Sequence, residues 1–346
     1  MKLIDLTYRG RTVDTAADAE AITTYLAQVD PFDEDTLLFM QNKPSVIIGR
    51  LQDAYTEVNL DKLRQKNIQL VRRAAGGGAV YMDEGSFVYI FSIAEGKSMA
   101  HRLDYAHYAQ PLIQTLQQFG IKDVALSGRN DVTIGGRKVS GMAGFQVRTR
   151  FNIGGTIIFR SSSDVASQVL TPIRSKFESK GFKSVASRIT DVQSSLPDTL
   201  KQVSTQDFQN EFLKNVFDVT QAADVPRVTF SQDDWNKINQ LKETRYDNDV
   251  WNLGRQPHYP HYVRKHYDHG TVAINFDTDG GKLTHVLIFG DFFTPLTDLS
   301  TIEEALVGTE LTENALGEAY QKAGVDQLLP WMTSTTFAEL MLSKEN

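Results

Sequence analysis

The chain has no cysteine among its 346 residues, which excludes disulfides, thiolate metal sites and any thiolate nucleophile. It has no apolar run near the roughly 18–20 residues that a membrane-spanning helix needs. Its first residues, Met1-Lys-Leu-Ile-Asp-Leu6, lack the long apolar stretch of a secretory signal. A cytoplasmic protein with no membrane partner is expected. Excess basic charge is also missing: 36 Lys and Arg against 43 Asp and Glu leave a net charge of -7, which discourages a nucleic-acid partner. Neither an internal repeat nor a low-complexity segment is visible. What is present is 41% hydrophobic residues, enough for a packed core in each of the two domains that this length predicts.

The most informative segment is Val71-Arg-Arg-Ala-Ala-Gly-Gly-Gly-Ala-Val-Tyr81. Strand-like residues lie on both sides, Ile68-Gln-Leu-Val71 before it and Val80-Tyr81 and Phe87-Val-Tyr-Ile-Phe91 after it, so the glycine loop joins strand to strand. A Walker loop would need Gly-Lys-Ser/Thr opening a helix, and a dinucleotide fingerprint would need spaced glycines there. Adjacent glycines let successive N–H groups converge on a carboxylate or phosphate with no Cβ in the way. Arg72 or Arg73 supplies the countercharge. A bare glycine triplet beside two arginines also describes a flexible surface loop.

A second segment, Ser127-Gly-Arg-Asn-Asp-Val-Thr-Ile-Gly-Gly-Arg-Lys-Val-Ser-Gly-Met-Ala143, reads as a tight hairpin turned at Gly135-Gly136. Asp131 and Lys138 are placed at opposite ends of this unit, and the small residues Ser140, Gly141 and Ala143 leave room for a ligand. A lysine in a hairpin is ordinarily a solvated charge; here an aspartate and a glycine turn accompany it.

Together these residues resemble the lipoate–protein ligases of the biotin and lipoate ligase superfamily, in which Arg-Arg-x-x-Gly-Gly-Gly-Ala-Val precedes Gly-Arg-Asn-Asp and Arg-Lys-x-Ser-Gly-x-Ala. Val46-Ile-Ile-Gly-Arg50, Lys180-Gly-Phe-Lys-Ser-Val-Ala-Ser-Arg188 and Trp251-Asn-Leu-Gly-Arg-Gln-Pro257 extend the match over nearly the whole chain. The resemblance implies ATP-dependent formation of lipoyl-adenylate, then transfer to a lysine of lipoyl-accepting domains: 2-oxoacid dehydrogenase acyltransferase subunits and the glycine cleavage H protein. It implies ATP and Mg2+ as cofactors and lipoate, or a related short- or medium-chain acid, as substrate. By the same resemblance Arg73, Gly78, Ala79, Val80, Tyr81, Asp131 and Lys138 meet the nucleotide. Arg72, Gly76, Gly77, Lys138, Ser140, Gly141, Ala143, Gly155 and Thr156 meet the acid. Lys138 is the catalytic residue, and Asp131 holds magnesium or orients Lys138. The absence of cysteine separates the chain from thiolate-dependent acyltransferases. An ATP-independent lipoyl or octanoyl relay and a lipoate- or adenylate-binding regulator are the alternatives.

The sequence departs from the family pattern at three places. Met82-Asp-Glu-Gly-Ser86 stands where His-Asp-x-Gly-Asn is usual, Ile153-Gly-Gly-Thr156 where His-His-Gly-Thr is usual, and Thr15-Ala-Ala17 where Asn-Leu-Ala is usual. Restoring His and Asn at 82 and 86 is expected to raise turnover with lipoate if the departures merely weaken polar contacts.

The family fold is α+β, a mixed and mostly antiparallel sheet flanked by helices, with a smaller α+β domain after it. The residues agree. Asp14 or Thr15 caps a helix to about Val29, Leu37–Met40 and Val46–Ile48 are expected to pair as strands, and helices are expected at His107–Phe119 and Thr205–Val219. The polar stretch Lys242–Asp249 reads as a linker, dividing a catalytic domain, 1–245, from a C-terminal domain, 246–346. That domain is expected to hold two strands, Gly270–Phe276 and Leu283–Phe289, and helices at Ile302–Val307 and Asn314–Lys322. Arg174, Lys176, Lys180, Lys183 and Arg188 form a candidate basic patch. His258, His261, His266 and His269 resemble paired metal ligands, but Pro257 and Pro260 break any helix that would align them, and loop packing is the simpler reading.

Overall fold

The structure, a computed structural model, describes residues 1–29, 31–94, 104–128, 130–147, 150–160, 162–171, 188–292, 294 and 299–343. Its strands are β1 (Lys2–Ile4), β2 (Thr7–Tyr8), β3 (Arg11–Thr12), β4 (Thr36–Gln41), β5 (Ser45–Ile48), β6 (Gln69–Arg72), β7 (Val80–Met82), β8 (Ser86–Ile93), β9 (Val124–Ser127), β10 (Asp131–Ile134), β11 (Arg137–Val147), β12 (Arg150–Ile158), β13 (Arg227–Val228), β14 (His261–Tyr267), β15 (Gly270–Asp279) and β16 (Lys282–Gly290). Eight of them form one sheet in the order β13-β1-β4-β8-β12-β11-β10-β9. β1 runs parallel to β13 and β4, and the other ladders of this sheet are antiparallel. The expected mixed, mostly antiparallel α+β fold is therefore present.

Alternation along the long strands sends aromatic residues to one face of this sheet. Phe39, Phe87, Tyr89, Phe91 and Phe151 pack there against Leu112 and Leu116 of the helix Tyr105–Gln118 and Phe208 and Phe212 of the helix Thr205–Phe217. The opposite face, with Leu38, Met40 and Val88, is covered by helix α1 (Ala16–Val29) and by a second sheet of order β6-β5-β7. Thr15 caps α1: its hydroxyl accepts from Asp18 N at 3.1 Å while Asp18 Oδ2 accepts from Thr15 N at 3.3 Å. The alanines at 16, 17, 19, 21 and 27 leave no bulk on α1, which lets the helix sink between the two sheets with residues 16–27 buried.

Two expectations fail here. β4 and β5 do not pair: β4 lies between β1 and β8 in the large sheet, whereas β5 pairs with β6 and β7. The chain crosses from one layer to the other at Lys43-Pro44, and the shared apolar character of the two strands reflects burial in different layers. Nor is Lys242–Asp249 a linker. Lys242–Tyr246 continues the helix Gln232–Leu241 as a π-turn, Tyr246 is fully buried with its hydroxyl on Thr24 of α1, and the helix Asp249–Leu253 follows. The first extended stretch after it is 254–260, opened by Gly254 at φ +67.

The C-terminal portion has its own core, with Val263, Ile274, Phe276 and Ile288 packed against Leu316 and Phe337. Its sheet has three strands in the order β14-β15-β16, not two. The histidine run is the missed strand, β14, with Pro257 and Pro260 just outside it, where proline costs no ladder bond. Among the described residues no group of three or more His, Asp or Glu is arranged to hold a metal. This portion is tied to the segment after β5. Gly290 N donates to Leu51 O at 2.9 Å, Tyr262 OH to Asp53 Oδ2 at 3.3 Å, and Arg264 pairs with Glu57 of helix α2 (Ala54–Glu57).

Candidate functional site

The two adjacent arginines point to different places. Arg72 is 6% exposed and gives its guanidinium to backbone carbonyls: Arg50 O at 2.9 Å, Gly49 O and Gln52 O on one side, and Trp251 O at 3.0 Å and Leu253 O at 2.8 Å on the other. Trp251 Nε1 and Asn252 Oδ1 close the other half of this junction by bonding Arg72 O and Arg72 N at 2.8 and 2.9 Å. Burial lowers the Arg72 pKa to about 10, against the pull of Asp53. An arginine occupied by that many carbonyls is a structural tie, so its expected contact with the acid does not match this geometry.

Arg73 instead folds back under the glycine loop. Its Nη2 donates to Gly76 O at 2.8 Å and Gly78 O at 2.9 Å, and its Nε to Gly76 O at 3.1 Å. A trans peptide plane points its C=O and the next residue's N–H in opposite directions. With the carbonyls of Gly76 and Gly78 drawn inward, the N–H groups of Gly77 and Ala79 face outward. Among the described residues nothing accepts from the N–H groups of Gly76, Gly77 and Gly78. Gly77 sits at φ +96, and a Cβ on Gly49 would lie 1.9 Å from Gly77 O, so both glycines are required for the loop to lie against the end of β5. Arg73, expected at the nucleotide, is thus bonded to the loop's own carbonyls. Val80 and Met82 of the outgoing strand pack with Val88 and Ile90 of β8, which brings the loop over the α1-covered face of the large sheet.

The second element lies on that same sheet. Lys138 Nζ is 2.6 Å from Asp131 Oδ1, and Arg188 Nη2 is 3.3 Å from Asp131 Oδ2, with all three side chains mostly buried. The two residues expected at opposite ends of the hairpin therefore meet. The cause is a register shift between Val132 and Thr133, where Thr133 pairs with Lys138 but Asp131 pairs with Gly141. In an unbroken strand residues 138 and 141 would project to opposite faces; the bulge puts both on the side of Asp131. A Cβ on Gly141 would fall 2.2 Å from Lys138 Nζ, so the space at Gly141 is filled by the lysine itself. Ser140 pairs with Val132 and turns to the aromatic face, fully buried, 3.4 Å from Tyr89 OH; the same bulge removes it from the face that carries Lys138. Ala143, Gly155 and Thr156 remain partly exposed, with Thr156 paired to Gly141 and Ala143 to Gly154. Both Asp131 oxygens face cations, a poor arrangement for a magnesium ligand and a good one for orienting Lys138.

Arg188, which the sequence placed at the end of the Lys180–Arg188 motif and in the candidate basic patch, joins the site through Asp131. Ile189 bridges to Lys138 in parallel, and Thr190 N donates to Lys138 O at 2.8 Å, which fixes the arginine beside Asp131. Arg174, Lys176, Lys180 and Lys183 lie outside the described residues.

The departures from the family pattern also find places. Met82 is 1% exposed and sits in one apolar cluster with Ala16, Ala17 and Ile22 of α1, so two of the three departures are parts of a single packing arrangement. A Cβ on Gly154 would meet Tyr89 O at 2.0 Å, which excludes a histidine there without backbone movement. Met82→His is accordingly expected to destabilise the fold by about 1–3 kcal/mol, the cost of burying an unpartnered imidazole, and to leave turnover unimproved. Urea unfolding and initial rates check this; higher turnover at unchanged stability would show that position 82 faces the ligand after all.

A glycine loop and an aspartate-held lysine over one face of a mixed α+β sheet, followed by a smaller domain, define the class of the lipoate–protein ligases. The model for the lipoyl protein ligase A/B catalytic domain matches residues 15–217, and that for the bacterial lipoate protein ligase C-terminus matches residues 256–341. Lipoate-protein ligase LplJ of Bacillus subtilis is 33% identical over 322 residues, covering 93% of this chain and 95% of that protein. Lipoate–protein ligase 2 of Staphylococcus aureus is 32% identical over 343 residues, covering 99% and 100%. Among solved structures, P. falciparum LipL1 in complex with lipoate has a TM-score of 0.69 at 18% identity, covering 90% of this chain and 92% of that one. Lipoate-protein ligase A bound with ATP has a TM-score of 0.57 at 22% identity, covering 73% and 98%. The chain belongs to the lipoate–protein ligase family.

Proposed function

We propose that this chain condenses lipoate, or a related short- or medium-chain acid, with ATP and passes the acyl group to a lysine of a lipoyl-domain acceptor. A carboxylate oxygen attacks the α-phosphorus, the bond to the bridging oxygen breaks, and pyrophosphate leaves. The acceptor's neutral amine then attacks the acyl carbon of the mixed anhydride, AMP leaves, and the amine's proton goes to solvent. The first step brings two anions together, so its barrier depends on fixed positive charge and preoriented donors. The observation that carries this reading is the pairing of an unspent row of loop N–H groups with Lys138, held by Asp131 on the same sheet face. A compact ammonium there follows the carboxylate as it becomes an anhydride.

The reading also draws on similar proteins: a bi-partite lipoate protein ligase of Thermoplasma acidophilum belongs to a lipoylation system with its E2 lipoyl domain, a P. falciparum protein was solved with lipoate, and a ligase A with ATP. For this chain, 2-oxoacid dehydrogenase acyltransferase subunits and the glycine cleavage H protein are the proposed acceptors, and the cytoplasm the proposed compartment. Magnesium would enter on the triphosphate of ATP, since Asp131 is already engaged. The boundary between catalytic and C-terminal domains is placed after Leu253, because the helix Asp249–Leu253 is bound to β6 through Arg72. Pyrophosphate release with ATP and a panel of acids, read together with mass detection of the acyl-adenylate, tests the proposal. Release that depends on one acid is expected. Acceptor acylation without any pyrophosphate would point instead to an ATP-independent relay.

A further inference from the structure

Arg72, Arg73 and Arg150 all give their guanidinium groups to backbone carbonyls. Arg72 bonds residues on both sides of the junction, Arg73 folds back on Gly76 and Gly78, and Arg150, fully buried in β12, bonds Ser92 O at 3.1 Å and Glu34 O at 3.0 Å. Arg188 differs. Its side chain is 16% exposed, yet its one contact among the described residues is Nη2 on Asp131 Oδ2 at 3.3 Å, long for a hydrogen bond. A guanidinium carries about five N–H donors, and the rest of them have no acceptor among the described residues.

The group is nevertheless held in place. Ile189 bridges to Lys138 where β12 has already ended at Ile158, Thr190 N donates to Lys138 O at 2.8 Å, and Gln193 N donates to Phe159 O at 2.9 Å, with Val192 buried in the aromatic core. Ordering a long cation and burying most of it costs side-chain entropy and hydration. One long bond to a carboxylate that Lys138 already engages at 2.6 Å does not offset that cost.

Taken with the ligase reading, on which this inference rests, we infer that Arg188 is a second catalytic cation, whose remaining N–H donors hold the α-phosphoryl oxygens of the nucleotide beside Lys138. Asp131 sets the two cations side by side, one on each carboxylate oxygen, so an anion placed against the lysine is within reach of the arginine. The chemistry selects the phosphoryl group over the carboxylate of the acid. When the carboxylate oxygen bonds to phosphorus, the carboxyl group loses its charge, whereas the α-phosphoryl group stays anionic in the adenylate. When the acceptor amine displaces AMP, the electron pair of the breaking acyl C–O bond goes to a phosphate oxygen and the charge there increases. A cation fixed on that group serves both steps, and a planar fork matches two phosphoryl oxygens as a point charge does not.

The test measures binding of AMP and of adenosine by calorimetry, and single-turnover formation of adenylate from MgATP and lipoate. It compares the wild type, Arg188→Gln, Arg188→Lys, Asp131→Asn and the double variant Arg188→Gln/Asp131→Asn. Arg188→Gln is expected to weaken AMP about ten- to a hundredfold, the loss of one or two charge-assisted bonds. It should leave adenosine unchanged and slow adenylate formation about a hundredfold. Arg188→Lys should recover only part of the loss, binding AMP about tenfold more weakly than the wild type. The double variant separates contact from positioning: an arginine that acts only through Asp131 adds nothing once that residue is neutral, whereas a phosphoryl contact still costs AMP about tenfold there. If Arg188→Gln does not fold, Arg188→Lys, which keeps a cation for Asp131, decides by its AMP affinity. Wild-type AMP affinity in the folded variants, equal weakening of adenosine and AMP, or a double variant no weaker than Asp131→Asn would each overturn this assignment. The ligase reading then stands if the wild type still releases pyrophosphate with lipoate; a wild type that releases none would overturn both.

Discussion

Lys138→Ala should lower the rate of acyl-adenylate formation by at least about a thousandfold while leaving the fold intact, a loss of the size seen when one fixed transition-state donor is removed. Stability survives because the truncated side chain lies beside Gly141, and Asp131 keeps Arg188 as a cationic partner. Lys138→Arg should fail nearly as badly. A planar fork cannot occupy the point between two oxyanions that a compact ammonium fills, and its extra length would meet the backbone of Gly141. Single-turnover measurement of adenylate, with circular dichroism of the same samples, checks both variants. Pyrophosphate release at the wild-type rate from Lys138→Ala would remove Lys138 from the chemistry. Asp131→Asn should show a smaller fall, because it loosens the lysine without deleting it.

Arg72→Ala should do the opposite, destabilising the protein by about 3–5 kcal/mol while the folded fraction retains its affinity for ATP and acid. The guanidinium bonds the carbonyls of Gly49, Arg50, Gln52, Trp251 and Leu253, and its loss removes this donor from all five, with Gly49 O keeping the N–H of Gln52. Arg72→Lys should recover little, since one ammonium cannot span acceptors on two sides. Urea unfolding alongside equilibrium binding of MgATP distinguishes the roles. A variant of normal stability but weakened binding would place Arg72 on the ligand.

The chemistry of the site was legible in residue order because its parts are local. The glycine triplet, the Gly135-Gly136 hairpin turn and the Thr15 cap each act over a few residues, so composition and spacing carry them. The helices at 105–118 and 205–217 were legible for a similar reason: apolar residues at helical spacing can be buried only against a sheet. The C-terminal strand β14 was not, because histidines and tyrosines alternate there with Val263 and Lys265, and two prolines at its entrance resemble a loop signal.

By itself the sequence determined the parts from which the candidate site is built, a glycine loop after two arginines and an aspartate-accompanied lysine, and through its lack of cysteine that the chain offers no thiolate nucleophile. Tertiary structure alone decided the division of labour between Arg72 and Arg73. Their acceptors lie on separate segments, in one case 181 residues away, and nothing in two adjacent arginines records which carbonyls each will reach. It alone turned Ser140 into the core and brought Lys138 to Asp131, because one bulge exchanges the faces of a strand without changing its composition. It also buried Glu20 of α1: a glutamate in a helix reads as solvent-facing until the helix is buried between two sheets.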